Sequence, residues 1–233
     1  MIRFSSLIFC GTLASALLAC GSNTISTNTD TNTSTTTATN TSTTTATNTA
    51  TKNAIDLAPL DNAVSGWAVD TSSNKNGSVQ PMIATTLDQA VGLIDGGASP
   101  FYKAPFTPKA FLWQNYVNDT LPSAPDGASV ILYILQMPSA DQASGLYTAL
   151  LKESEYSGQK GTTNDWQPTS PALGTESRIE NTVTAWWINF HKDVFYVEVM
   201  LNPSFGPPPD YTPGDTNLKN EAMRFAQAVA SKF

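Results

Sequence analysis

The chain has 233 residues, with 12 Lys plus Arg against 19 Asp plus Glu, a formal charge of −7 and only 13% charged residues. That charged share is about half the roughly 25% usual in soluble domains, so part of the chain is polar without being ionic. An acidic chain with no basic cluster lacks the field that holds nucleic acid or an anionic bilayer surface. One His and two Cys exclude a structural zinc site, an iron–sulfur cluster and a disulfide-stapled miniprotein.

The first element, residues 1–19, reads as an export signal. Arg3 supplies a positive start, and Leu7 to Leu18 is apolar but too short to span a bilayer. The stretch ends in Leu17-Leu18-Ala19-Cys20, followed by Gly21-Ser22 and a polar tract. This resembles the lipobox of bacterial lipoproteins. The resemblance implies that Cys20 takes a diacylglyceryl thioether, becomes the mature N-terminus and is fatty-acylated. Cys10 would leave with the signal, so no free thiol would remain. Two or more acyl chains anchor stably, which makes the lipid bilayer the first expected partner. Gly21 after the Cys, rather than Asp, implies the outer membrane, on its periplasmic or surface face.

Residues 20–53 hold the lipidated Cys and a Thr/Asn-rich spacer. Thr-Asn-Thr-Ser-Thr-Thr-Thr-Ala occurs at 31–38 and again at 39–46. Such a tract buries too little apolar surface to offset the entropy of ordering, so a disordered tether is expected. As a random coil it would reach about 30 Å.

Residues 54–233 are expected to form one α+β domain, an antiparallel sheet of about four to six strands flanked by three helices. The first helix, about 86–95, places Leu87, Ala90, Val91 and Ile94 on one face, with a Thr86/Gln89 capping box and a Gly96-Gly97 stop. Ala110 to Val117 is a candidate strand paired with Val130 to Met137 across a loop with Pro122, Pro125 and Gly127. The latter strand is apolar on both faces, as in the centre of a sheet covered on both sides. The second helix, about 139–156, starts on a Ser139/Gln142 box and carries Ala143, Leu146, Tyr147, Leu150 and Leu151 as one stripe. Ile179 to Phe190 and the half-buried strand Phe195 to Leu201 read as a hairpin joined through His191-Lys192-Asp193. The third helix, about 216–232, aligns Leu218, Ala222, Phe225, Ala226 and Val229.

Leu93-Ile94-Asp95-Gly96-Gly97-Ala98 followed by Phe101-Tyr102 and Phe106, with Gly66-Trp67 upstream and Met137, Ser139, Ala143, Gly145, Leu146 and Tyr147 downstream, resembles an uncharacterised family of bacterial exported proteins. The pattern covers most of residues 60–230. Asp95 stands where that family more often has Asn. The resemblance implies export and fold, and brings no activity with it.

Catalytic signatures are sparse. There is no Gly-x-Ser-x-Gly elbow to pair with His191, which is expected to be a solvated turn residue, and no phosphate loop or dinucleotide fingerprint. Asp70, Asn74, Asn76 and Gly77 miss the register of a calcium loop. Glu180 and Glu198 can oppose each other across the hairpin, although an exposed sheet edge is the simpler expectation. Two long connections, 157–176 and 202–215, bring aromatics to a possible rim. Trp166, Trp186, Phe205 and Tyr211 are the candidate ligand contacts, able to stack on a sugar or peptide. No cofactor or metal is implied. The leading expectation is a non-enzymatic binding or interaction domain for an envelope protein or glycan. The alternatives are a structural envelope lipoprotein without ligand and a carboxylate-dependent hydrolase of envelope glycan or ester.

Overall fold

The centre of the molecule is the strand that the sequence marks as apolar on both faces. The structure, a computed structural model, describes residues 52–73, 77–124, 126–151, 166–182, 185–203 and 215–233. In chain order the elements are α1 (Ala54–Leu57), β1 (Ala68–Val69), β2 (Met82–Ala84), α2 (Leu87–Ile94), a 3-10 helix (Asp95–Tyr102), β3 (Ala110–Asn118), β4 (Ala128–Gln136), α3 (Ala140–Leu150), β5 (Gln167–Pro168), β6 (Glu176–Asn181), β7 (Trp186–Lys192), β8 (Phe195–Pro203) and α4 (Thr216–Ala230). The strands form one antiparallel sheet ordered β1-β3-β4-β8-β7-β6-β5, with β2 also paired to β3. The α+β class and the antiparallel sheet therefore hold. The strand number does not: among the described residues eight strands replace the expected four to six, because β1, β2 and β5 are two- or three-residue pairings too short to leave a periodic signature. Three helices become four α-helices and a 3-10 helix among the described residues.

Alternation along each strand divides the core into two layers. Leu112, Val130, Leu132, Ile134, Ile188, Phe190, Val197 and Val199 pack with α1 and α4 on one face. Phe111, Leu135 and Tyr196 pack with α2, the 3-10 helix and α3 on the other. Helices thus cover both sides of the sheet, and β8, expected to be half-buried, is buried on both faces from Phe195 to Leu201. The stripe Leu218, Ala222, Phe225, Ala226 and Val229 holds α4 to the sheet. Its start is fixed by Asp215, whose carboxylate accepts from Asn217 N at 2.7 Å and Leu218 N at 3.0 Å, filling two donors that the first turn leaves unmet.

Helix ends follow the capping chemistry with local changes. Thr86 Oγ1 accepts from Gln89 N at 3.3 Å, while the Gln89 side chain reaches back to Thr85 N at 2.8 Å. Gly96-Gly97 does not stop the chain there. The backbone tightens into the 3-10 helix, which carries Phe101 into the core. Ser139 Oγ caps α3 by accepting from Gln142 N, and the expected continuation to 156 lies outside the described residues. The loop between β3 and β4 is as expected. The final hairpin turns at Asp193-Val194, with Asp193 in the left-handed region at φ 51°, so His191 belongs to β7.

Candidate functional site

The face of β6, β7 and β8 under α3 is where this core departs from hydrophobic composition. On β6, Arg178 and Glu180 alternate with Ile179; on β7, Asn189 and His191 alternate with Phe190; on β8, Tyr196 and Glu198 alternate with Val197. Because side chains alternate across a pleated strand, all six point to the same face. Register sets them in rows: Arg178, Asn189, Glu198, Tyr133 and Trp113 stand side by side on five strands, and Glu176, His191, Tyr196, Leu135 and Phe111 form the next row. Exposure is 5% for Arg178, 1% for Glu180, 0% for Asn189, 5% for His191 and 1% for Glu198.

Two expectations are corrected here. Glu180 and Glu198 are not on an exposed sheet edge, because the layer containing α3 covers the face they occupy. His191 is not a solvated turn residue. Its ring lies 5.1 Å from that of Tyr147, and Nε2 is 3.5 Å from the Glu176 carboxylate, whose side chain is 59% exposed.

The geometry joins a cation, aromatic rings and carboxylates. The Arg178 guanidinium sits 4.1 Å from the centroid of the Tyr147 ring and 4.9 Å from that of half-buried Trp166. Cation–π contacts at such distances stabilise by roughly 0.5–2 kcal/mol each, the upper end applying when desolvated. Tyr196 Oη donates to Glu198 Oε2 at 2.9 Å. Burial first, then the Glu198 charge, push the Tyr196 hydroxyl well above its ordinary value, with Arg178 partly opposing, so it stays a protonated donor at neutral pH. Burial also raises Tyr147, with Arg178 lowering it and Glu176 raising it. Arg178 Nε and Nη2 and both amide atoms of Asn189 are buried and make no hydrogen bond among the described residues.

The sequence-predicted contacts do not converge. Trp166 joins the polar layer through Arg178. Trp186 is 8% exposed and points to the opposite face, where Lys219 Nζ lies 5.7 Å from its ring. Phe205, Tyr211 and the anchor Cys20 lie outside the described residues. Phe101 is buried in the core, and Tyr102 and Phe106 pack partly buried against it. Arg178 and Asn189 were missed; the available signal was polar residues at every second position on three successive strands.

Two surface clefts lie elsewhere. One of about 580 Å³ runs between Leu121-Pro122 and the start of α4 at Asp215 and Asn217. Another of about 410 Å³ is bordered by Ile55, Leu60, Val79 and Lys232. Neither is lined by the polar layer, and chemistry rather than concavity singles that layer out. Among the described residues no group of three His, Cys, Asp or Glu side chains is placed to hold a metal ion, and no helix is long and apolar enough to cross a membrane. Comparison with protein-family models, curated proteins and solved structures gives no match.

Proposed function

We propose that this chain is a bacterial envelope lipoprotein, anchored through acylated Cys20 and probing its surroundings on a Thr/Asn tether with a non-enzymatic binding domain. The lipobox-like Leu-Leu-Ala-Cys and the two-fold Thr-rich repeat support the anchor and the spacer. The binding reading is carried by one observation: a buried layer on the β6–β8 face whose Arg178 and Asn189 have hydrogen-bonding groups left unmet among the described residues. Buried polar groups in folded proteins are almost always satisfied, and each exception costs about 1–3 kcal/mol. A face of this kind is retained at a cost in stability, which is the usual mark of a recognition site.

Two measurements test the two halves separately. Mass spectrometry of the mature N-terminus should find an acylated Cys20, and a Cys20→Ser chain should leave the membrane fraction. Equal membrane association of that variant refutes the anchor. A thermal-shift screen of the full chain against envelope glycans and peptides should find at least one stabilising ligand, and none in the panel refutes the binding reading.

A hydrolase is the second reading, favoured by Glu180 and Glu198 sharing one face beside Arg178. Glu198 is in register with Arg178, two residues from Glu180, so strand spacing and rise put the two backbones about 12 Å apart across β7, and their side chains would have to lean together to reach the roughly 6.5–9.5 Å of an inverting carboxylate pair. Turnover of a chromogenic glycoside or ester, abolished by both Glu180→Gln and Glu198→Gln, would select it.

A further inference from the structure

We infer that the apolar cleft beside the chain's entry into the domain is a docking surface for a zwitterionic lipid bilayer, the one that holds acylated Cys20. This rests on the anchor half of the reading above and adds a second contact with the same membrane.

Core formation does not account for the residues gathered here. In α1, Ala54 and Leu57 are buried, while Ile55 turns outward and is 44% exposed. Leu60 is 74% exposed and Val79 47%. These three line one cleft of about 410 Å³ with Ala58, Pro59 and Pro81. Ile83, 42% exposed, stands opposite Leu112 on β3, and Leu112 belongs to the layer that packs with α1, so Ile83 faces the same side of the sheet. Single exposed aliphatic residues are ordinary on a protein surface, but a cluster of them marks a face that meets something apolar.

Composition and position select the partner. Binding hot spots between proteins are mostly Trp, Tyr and Arg, and the cleft is lined by none of these. It offers aliphatic side chains and prolines, with Lys232 on its rim and Lys52 at the adjoining corner. An aliphatic surface edged by ammonium groups fits the boundary between acyl chains and phosphate headgroups. Asp56 and Asp61 share that rim and accept from the backbone at Asn53 (2.8 Å) and Val69 (2.7 Å). Two lysines against two aspartates leave the rim without a net charge, which suits a zwitterionic bilayer better than an anionic one.

The chain from Cys20 reaches the domain at Lys52, three residues before Ile55. At the roughly 30 Å coil length expected of the spacer, the cleft stays near the bilayer at an effective concentration on the order of a millimolar, so even a weak contact is populated. At the other end of α4, about 22 Å away, Asp215 lies beside the β3–β4 loop, which carries Asp119 and Asp126. When the cleft meets lipid, these carboxylates stay in water, where their charge is solvated.

The test uses the full acylated chain, purified from membranes and inserted through its lipid into phosphatidylcholine vesicles. A nitrobenzoxadiazole label is placed on Leu60→Cys or, as control, on Asp126→Cys; with Cys10 removed and Cys20 acylated, each introduced thiol is the only one. The label at 60 should brighten, shift to the blue and be quenched by nitroxide-bearing acyl chains, and the label at 126 should do none of these. Val79→Ser with Ile83→Ser, both at exposed positions, should lower the ratio of docked to free domain about tenfold, with the thermal midpoint unchanged.

A label at 60 that stays aqueous in an acylated, vesicle-bound chain overturns the docking surface and leaves the anchor standing. Emission unaffected by the two serines overturns it too, as does a signal that appears only with phosphatidylglycerol, which makes the contact electrostatic. Shielding that rises with protein density and resists nitroxide lipid puts a second copy on the cleft, again overturning the inference. An unacylated Cys20 in a chain that does not float with the vesicles removes anchor and docking together.

Discussion

Replacing Tyr196 with Phe removes one oxygen from the middle of the sheet and leaves the ring where it was. Tyr196 is 0% exposed, and its hydroxyl donates at 2.9 Å to Glu198, itself 1% exposed. A hydrogen bond to a charged group contributes about 1.5–3 kcal/mol, and its loss falls on a carboxylate that water cannot reach. No cavity term arises beyond the missing oxygen, so the expected destabilisation is about 2–3 kcal/mol. In a domain of this size that lowers the thermal midpoint by roughly 4–12 °C. Urea unfolding should show a lower midpoint with an unchanged slope, because the surface exposed on unfolding is the same. Glu198→Gln supplies the second arm of a double-mutant cycle, in which a coupling energy of about 1 kcal/mol or more is expected. An unchanged midpoint in Tyr196→Phe, or additive single and double variants, would refute the claim that this pair is a stabilising contact in the buried layer.

Three further outcomes are expected. Gly174 has φ +74°, and a Cβ there would stand 2.5 Å from the His191 carbonyl oxygen, which already accepts from Thr175 N. Gly174→Ala should therefore cost roughly 2–4 kcal/mol through left-handed strain and overpacking, and equal urea midpoints for variant and wild type would contradict this. Asp215→Ala removes both bonds to the first turn of α4 and should cost about 1 kcal/mol, seen as earlier loss of helical circular dichroism on heating. Stability should also fall in alkali. Burial, with Asp61 assisting at Tyr116 and Glu198 at Tyr196, raises both hydroxyls above the ordinary value of 10.0. The folded state then holds protons that the unfolded chain releases. The stabilisation is complete below pH 10 and declines above it by roughly 2.7 kcal/mol per pH unit for the two groups. Unfolding curves that stay level from pH 9 to pH 11 would be the contrary result.

How far the fold can be read from residues alone depends on the length over which a pattern repeats. The stripe of α4, the doubly apolar run of β4 and the Ser139 cap of α3 each repeat or punctuate over several residues and locate their elements closely. β1, β2 and β5 have two or three residues each, and their pairing to β3 or β6 is decided by tertiary contact. The candidate layer was obscured for a different reason. Alternation in 176–198 tells which residues share a face, but not whether that face is covered. Polar residues at alternate positions read naturally as solvent-facing until α3 is placed over β7 and β8. His191 differs for another reason: hairpin ends are not fixed by alternation, and placing the turn at Asp193-Val194 instead of His191-Lys192-Asp193 moves it from loop to strand. The neighbours Trp186 and Trp187 point to opposite faces, and both faces are covered: Trp186 is buried in one layer and Trp187 packs partly buried against the other.

Lys52, where the described chain enters the domain, reaches the backbone carbonyl of Phe233 at 3.0 Å, and Lys232 reaches Ala58 at the same distance. Entry and exit therefore share one corner. A force applied between residues 52 and 233 would act at that corner, on the flanking helices, and not across the sheet. The same adjacency makes the domain suited to circular permutation: a few residues joining positions 233 and 52, with new ends opened in the connection between β3 and β4, would reorder the chain while preserving every strand pairing.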